Sequence, residues 1–273
     1  MSNTQLRIIS AVVLAMIVAA VIIIGKTASL IFIGIIGLLV VDEVIVNFLS
    51  FKRNHIGYLI SQAVFTAGFS YFNFVDFAPG YVKAFNNLGL YLCILLLFYL
   101  FVTKHESKAI LNFFKTYTFL LGGILLIPFI NLAFLVHVSN WKLILLGLVI
   151  LNFSVDTTAW FWGKNFGKHK LWPKVSPKKT IEGFVGGVLS SVILTVLYWS
   201  FAIGTSTIEI VLCFFTIACC SQLGDLVQSK MKRQFEIKDS SNLIPGHGGV
   251  YDRVDSLLFV SPLYLWVIIN YVG

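Results

Sequence analysis

Three aspartates bracket the most polar stretch of this chain. Asp225 lies about one turn before the end of one apolar run, and Asp252 and Asp255 open the next. Between them runs SKMKRQFEIKDSSNLIPGHGGVYDRVD, Ser229 to Asp255. Carboxylate oxygens converging from neighbouring helices make the kind of cup that suits a hard cation such as Mg²⁺, whose shell is completed by waters and substrate phosphates. Asp252 and Asp255 are three apart, so a helix beginning near Tyr251 puts both on one face. Gly246, Gly248 and Gly249 let backbone N–H groups turn inward as an anion-binding concavity near a helix start. Lys232, Arg233, Lys238 and Arg253 offer charge-assisted bonds to phosphate, bidentate in the case of arginine. His247 titrates near neutrality and is either a general base or a phosphate contact, the glycines beside it favouring the second. Cations, a backbone nest and a metal site within 27 residues fit a polyphosphate handled at a membrane surface.

A second set occupies DTTAWFWGKNFGKHKLWPKVSPKKTIEG, Asp156 to Gly183. Gly163 and Gly167 bracket a turn, followed by Lys168, Lys170, Lys174, Lys178 and Lys179. Trp160, Trp162 and Trp172 are interfacial anchors by default, with stacking on a base as the alternative. Thr180 and Glu182 ahead of an apolar run have the form of a helix start.

The elements that must position these groups are membrane helices. Of 273 residues, 58% are hydrophobic and only 12% charged, roughly half the charge of a soluble domain. Runs long enough to cross ~30 Å of hydrocarbon recur along the chain. Nine spans are expected: Ile8–Ile24, Ala28–Leu49, Gly57–Val75, Leu88–Val102, Tyr117–Val136, Leu143–Trp162, Gly183–Ala202, Ile208–Gln228 and Leu257–Val272. The first lacks a small-x-small cleavage site and is read as an anchor. Nine spans place seventeen of the twenty Lys and Arg residues on one side, which the positive-inside rule makes cytoplasmic, with the N-terminus there and the C-terminus outside. The expected fold is thus an all-α polytopic membrane protein. Residues 1–140 form its N-terminal spans 1–5. Residues 141–273 form the catalytic part, with cytoplasmic loops 163–182 and 229–255. The formal net charge of +8 sits on one membrane face, where anionic headgroups and solutes meet it. Cys93, Cys213, Cys219 and Cys220 lie inside apolar spans without metal or disulfide spacing and are expected to be small core residues. Asp42 and Glu43, near the end of span 2, are either interfacial carboxylates or functional ones.

The run from Ser229 to Asp255 resembles the signature of the phosphatidate cytidylyltransferases, or CDP-diacylglycerol synthases: Ser-x-x-Lys-Arg, four residues, Lys-Asp, a spacer, then Pro-Gly-His-Gly-Gly-x-x-Asp-Arg-x-Asp. The Asp156–Gly183 block resembles the family's second block, with Trp160 where a tyrosine is common. Length, span count and sidedness are similar to bacterial members. The resemblance implies the reaction CTP + phosphatidate → CDP-diacylglycerol + pyrophosphate, with Mg²⁺ and K⁺ as a second cation, in a homodimer at the bacterial inner membrane with its site on the cytoplasmic face. It implies metal ligation by Asp225 and Asp252, with Asp255 in the same cluster. Lys232, Arg233, His247 and Arg253 complete the catalytic candidates. Asp156, Lys178, Lys179, Thr180, Ser229, Lys238, Asp239, Gly248 and Gly249 are substrate-binding candidates. CTP, phosphatidate and membrane lipids are the implied partners, without nucleic acid. A cytidylyltransferase or kinase acting on another lipid is the main alternative. A transporter would place carboxylates near the midplane of interrupted spans in both halves, and here they gather at one face.

Overall fold

The structure is a computed structural model and describes residues 3–104, 107–204 and 207–272. It is almost wholly helical, as a chain with so little charge must be where no water can satisfy the backbone. The helices are α1 (Asn3–Ile24), α2 (Lys26–Glu43), α3 (Ile56–Ser70), α4 (Pro79–Val102), α5 (Ala109–Thr116), α6 (Leu121–His137), α7 (Trp141–Phe166), α8 (Ile181–Ala202), α9 (Ile208–Gln234) and α10 (Tyr251–Tyr271). π-helical turns follow α2 at Val44–Phe48 and α3 at Tyr71–Val75. Among the described residues eight helical segments are long and apolar enough to cross a membrane. The ninth expected span corresponds to α3 with its π turn, which is not among the eight. Gln62 and Asn73 dilute its apolar content, and each donates to a nearby carbonyl, Leu38 at 3.2 Å and Phe69 at 2.9 Å.

The chain divides into two compact units. One comprises residues 1–88, 106–137 and 232–254. Its centre is α6, apolar all round and buried from Pro128 to Val136, as a helix surrounded by other helices should be. Small residues let its neighbours approach closely. Gly122 on α6 lies against the Ser61 backbone of α3, and Gly37 on α2 lies under the Phe65 ring. Ser61 Oγ donates to the Thr118 carbonyl at 2.7 Å. Buried Asn131 donates to the carbonyls of Phe85 and Ile127, both at 2.9 Å, and accepts from Asn86.

The other unit comprises residues 89–105, 138–231 and 255–273. Here α7 and α8 pack along their length, with Gly183 and Gly187 of α8 against Ala159 of α7. Trp199 sits edge-on to Phe214 and Tyr264, and the Tyr264 hydroxyl donates to the Ile144 carbonyl at 2.9 Å. A polar chain ties three helices: Ser221 Oγ donates to Asn152 Oδ1 at 2.9 Å, and Asn152 Nδ2 donates to Ser256 Oγ at 3.2 Å. The segment between α7 and α8, expected as a loop, contains a two-stranded antiparallel hairpin of β1 (Lys170–Trp172) and β2 (Ser176–Thr180). The four cysteines are free, and Cys93 is buried with its thiol directed at the Phe259 carbonyl.

Candidate active site

The cationic end of β2 runs directly into α8. Thr180 has extended backbone and its hydroxyl accepts the Gly183 N–H at 3.1 Å, so it is the N-cap of α8, as the sequence predicts. Glu182 does not close a capping box. Its carboxylate instead accepts from His169, at 2.6 Å from Nδ1 and 3.2 Å from the backbone N–H, and so fastens the entry to β1. This junction forms one wall of a cleft of about 370 Å³ lined by Asp156, Trp160, Lys164, Lys178, Lys179, Thr180, Gln222 and Asp225. The volume lies in the range of small-molecule sites, ~300–1,000 Å³. Lys179 Nζ sits 2.7 Å from Asp225 Oδ2 and 3.3 Å from the Gln222 carbonyl. Ser229, one turn beyond Asp225, donates to its Oδ1 at 3.3 Å. Asp156, Lys178, Lys179, Thr180, Asp225 and Ser229, all expected from sequence, thus belong to one place.

Of the three tryptophans, Trp160 is exposed at the cleft and within cation–π range of Lys164, 4.8 Å from ring centroid to Nζ. Trp162 packs over Gly186 and donates to Ser190 at 3.0 Å, and Trp172 stacks with Phe101 at 6.0 Å. Those two rings serve packing.

The second assembly is the loop before α10, which starts at Tyr251, so that Asp252 and Asp255 both lie on its first turns. Asp252 is more enclosed than Asp225, its side chain only 5% exposed against 31%. Oδ1 lies 2.9 Å from Lys232 Nζ, and Oδ2 accepts the N–H groups of Ser240 at 2.8 Å and Gly249 at 3.0 Å. The Gly249 N–H is therefore directed at Asp252. Gly246 and Gly248 have φ of 75° and 87°, a left-handed backbone that favours glycine. A Cβ at Gly248 would fall 2.8 Å from Asp252 Oδ2. A tight turn closes through Ile244 N–H to the Gly248 carbonyl at 2.8 Å and His247 N–H to the Ile244 carbonyl at 2.9 Å. Arg253 Nη2 donates to the His247 carbonyl at 2.8 Å. Asp239 flanks Gly248, and Arg233, Lys238 and Arg253 are exposed. Asp255 Oδ1 accepts the Ser256 N–H at 2.8 Å. His247 Nδ1 is 2.7 Å from Ser10 Oγ, and Arg7 Nε donates to the Gly246 carbonyl at 2.9 Å, so α1 grips this loop. Burial, then the Arg253 and Arg7 cations, hold the His247 imidazole below its usual pKa and favour its neutral form.

Two carboxylates were placed by sequence no more closely than the end of span 2. Asp42 pairs with Arg53, 2.7 Å from Nε, and with the Tyr58 hydroxyl at 2.9 Å. Glu43 is buried, 3% exposed, and accepts four hydrogen bonds from the loop before α10. Only its depth in an otherwise apolar helix could have marked it.

Among the described residues no three His, Cys, Asp or Glu side chains gather as a metal-binding group. The donor chemistry nonetheless suits a hard cation. Asp225 and Asp252 each already hold a cation, the ammonium of Lys179 or Lys232, and Asp156 adds a carboxylate to the cleft.

The model of the cytidylyltransferase family matches residues 5–271. Among curated relatives, the phosphatidate cytidylyltransferase of Bacillus subtilis is 42% identical over 120 residues, 44% of this chain and 45% of that protein. Those of Staphylococcus haemolyticus (49% over 109 residues, 40% of this chain and 42% of that protein) and Staphylococcus aureus (46% over 115 residues, 42% of this chain and 44% of that protein) are similar. The chain thus spans under half the length of each of these relatives in the matched segments. With cleft, signature loop and a family match running almost end to end, this chain belongs to the cytidylyltransferase family.

Proposed function

We propose that this chain is a phosphatidate cytidylyltransferase, joining CTP and phosphatidate into CDP-diacylglycerol with release of pyrophosphate. The observation that carries the reading is the cleft at the start of α8, where Lys178, Lys179 and Thr180 face Asp156 and Asp225. A phosphomonoester is largely dianionic at pH 7, its second pKa being about 6, so the lipid phosphate needs no strong base. One of its oxygens attacks the α-phosphorus of CTP, a P–O bond forms, and the α–β anhydride bond breaks as pyrophosphate leaves. The obstacle is bringing one polyanion onto another, which fixed cations remove.

Lys178, Lys179 and the Thr180-capped start of α8 hold phosphate in the cleft. Lys232, Arg233, Lys238 and Arg253 neutralise the triphosphate, with His247, Gly248 and Gly249 shaping the loop around it. Asp225 is the residue of the cleft that would hold Mg²⁺, and Asp252 and Asp255 are the further ligand candidates that the family resemblance implies, with K⁺ as a second cation. When bound, such a cation supplies charge neutralisation for the leaving pyrophosphate. The excess of Lys and Arg on one set of loops supports a cytoplasmic site in the bacterial cell membrane, with the C-terminus outside. The protein is proposed to act as a homodimer.

The test is pyrophosphate release by the purified protein in detergent, with each nucleoside triphosphate, with and without phosphatidate and Mg²⁺. Release that needs CTP, phosphatidate and Mg²⁺ together supports the reading. Release with CTP and a different lipid would move the substrate assignment, and release with ATP and an unphosphorylated lipid would make the protein a kinase.

A further inference from the structure

Glu43 lies at the last residue of α2, yet every hydrogen bond it is seen to accept comes from residues about 200 positions later. Oε1 accepts the Ser241 hydroxyl at 2.6 Å and the Val250 N–H at 2.8 Å. Oε2 accepts the Ser240 hydroxyl and the Tyr251 N–H, both at 2.8 Å. One turn on, Asn47 Nδ2 donates to the Ser240 carbonyl at 2.7 Å. Gly249 packs against the same carboxylate so closely that a Cβ there would overlap the Ser240 hydroxyl and sit 2.6 Å from Glu43 Oε2.

The two ends of the signature loop that Glu43 holds are the ends that define Asp252. Ser240 and Gly249 give their N–H groups to Asp252 Oδ2, and Val250 and Tyr251 open the helix that carries Asp252. The first N–H groups of a helix have no intrahelical partner and attract negative charge. An anion on α2 therefore fixes both the start of α10 and the turn that aims Asp252.

We infer that Glu43 is a positioning residue for cytidylyl transfer: its charge, and not only its size or polarity, clamps residues 240–251 so that Asp252 and Lys232 are held for the substrate phosphates. The inference rests on the proposed reaction for what the loop does, and not for how the loop is held.

Glu43→Gln separates charge from size. Each carboxylate oxygen accepts one hydroxyl and one backbone N–H. A hydroxyl can turn to accept from an amide, but a backbone N–H cannot. Whichever way the glutamine is oriented, its NH₂ faces an N–H donor, and one buried donor is stranded. With the protein in detergent, E43Q is expected to keep its extraction yield and size, to lose about ten- to a hundredfold in kcat with the KM for CTP changed less than threefold, and to exchange the amides of 240–251 faster for deuterium. An E43Q protein with kcat and exchange like those of the starting protein would overturn the inference. If E43Q does not fold, the unsubstituted protein still decides. Slow exchange at Val250 and Tyr251 relative to Leu243 is required, and fast exchange at both would overturn the clamp. Absence of CTP-dependent turnover in the unsubstituted protein would sink the reaction reading alone, because the exchange measurement needs no turnover.

Discussion

Replacing Lys230 by methionine keeps most of the side chain's length and removes its charge and its three donors. Lys230 precedes the cations Lys232 and Arg233 in the chain, yet it is 1% exposed, inside α9. Its three N–H groups are shared among four acceptors, the carbonyls of Tyr99 (3.0 Å), Leu100 (2.9 Å) and Thr103 (2.6 Å) and the Thr103 hydroxyl oxygen (2.9 Å), and Nζ lies 4.8 Å from the Tyr99 ring centroid. These carbonyls close the last turn of α4, the negative end of the helix. A partly buried cation there contributes up to ~2 kcal/mol. The Tyr99 carbonyl keeps the Thr103 N–H and hydroxyl as donors, so the loss falls on the Leu100 and Thr103 carbonyls. A buried carbonyl that loses its donor costs about 1–3 kcal/mol, and methionine offers none. Relief from burying an ammonium offsets part of this, since methionine is at home in an apolar setting. A net loss of ~3 kcal/mol corresponds to a fall in Tm of about 6–12 °C for a chain of this size class. Tryptophan fluorescence during heating in detergent, K230M beside the unsubstituted protein, measures it. A K230M protein melting within about 2 °C of its parent would refute the reasoning, because the Leu100 and Thr103 carbonyls cannot be substituted away and must then be satisfied by something other than this ammonium.

Asp252→Asn should lower pyrophosphate release by about a hundredfold or more, the scale on which removal of one aimed electrostatic group acts. Its amide meets either the Lys232 ammonium or two backbone N–H groups, and turnover near the parent value would remove Asp252 from the site. Gly122→Ala pushes a methyl into the Ser61 backbone and should destabilise by about 1–3 kcal/mol, whereas Gly80→Ala meets open space and should melt like the parent. Because the fold depresses the His247 pKa from 6.5, the folded chain binds fewer protons than the unfolded one as pH falls through that value. Stability from this source is complete above about pH 6.5 and declines below it. Melting temperatures between about pH 8 and 5.5 should fall more steeply for the parent than for His247→Asn, and parallel curves would contradict the burial of a neutral imidazole.

Much of this molecule is legible in the sequence because the bilayer allows so few solutions. Long apolar runs must be helices, and their ends must be where Lys and Arg collect. Eight of the nine expected spans therefore match long apolar helices, and the start of α8 follows from Thr180 and Glu182 ahead of an apolar run. The cleft was legible in its residue types, since Asp156, Lys178, Lys179, Thr180 and Asp225 stand out against apolar surroundings. The hairpin was not: Lys170–Trp172 and Ser176–Thr180 lack β-branched alternation, and pairing was set by the short connection between α7 and α8. Glu43 and Lys230 were not legible either. A carboxylate at a helix end and a lysine beside a basic cluster look solvated until their partners are known. Those partners are backbone groups, which carry no residue-type signal.

The hold of α1 and α2 on the loop before α10 bears on how the protein is made. Arg7 and Ser10 meet residues 235–239 positions later, and Glu43 meets residues 197–208 positions later. At synthesis rates of ~5–20 residues per second, the ribosome takes on the order of 10–50 s to reach these partners. For that interval the first helices are threaded into the bilayer with an unanswered carboxylate at their edge. Assembly of the loop therefore waits until residues 240–251 have been made. A nascent chain arrested before residue 240 would carry α1 and α2 and still lack the clamp, which ties the order of the signature loop to synthesis of residues 240–251.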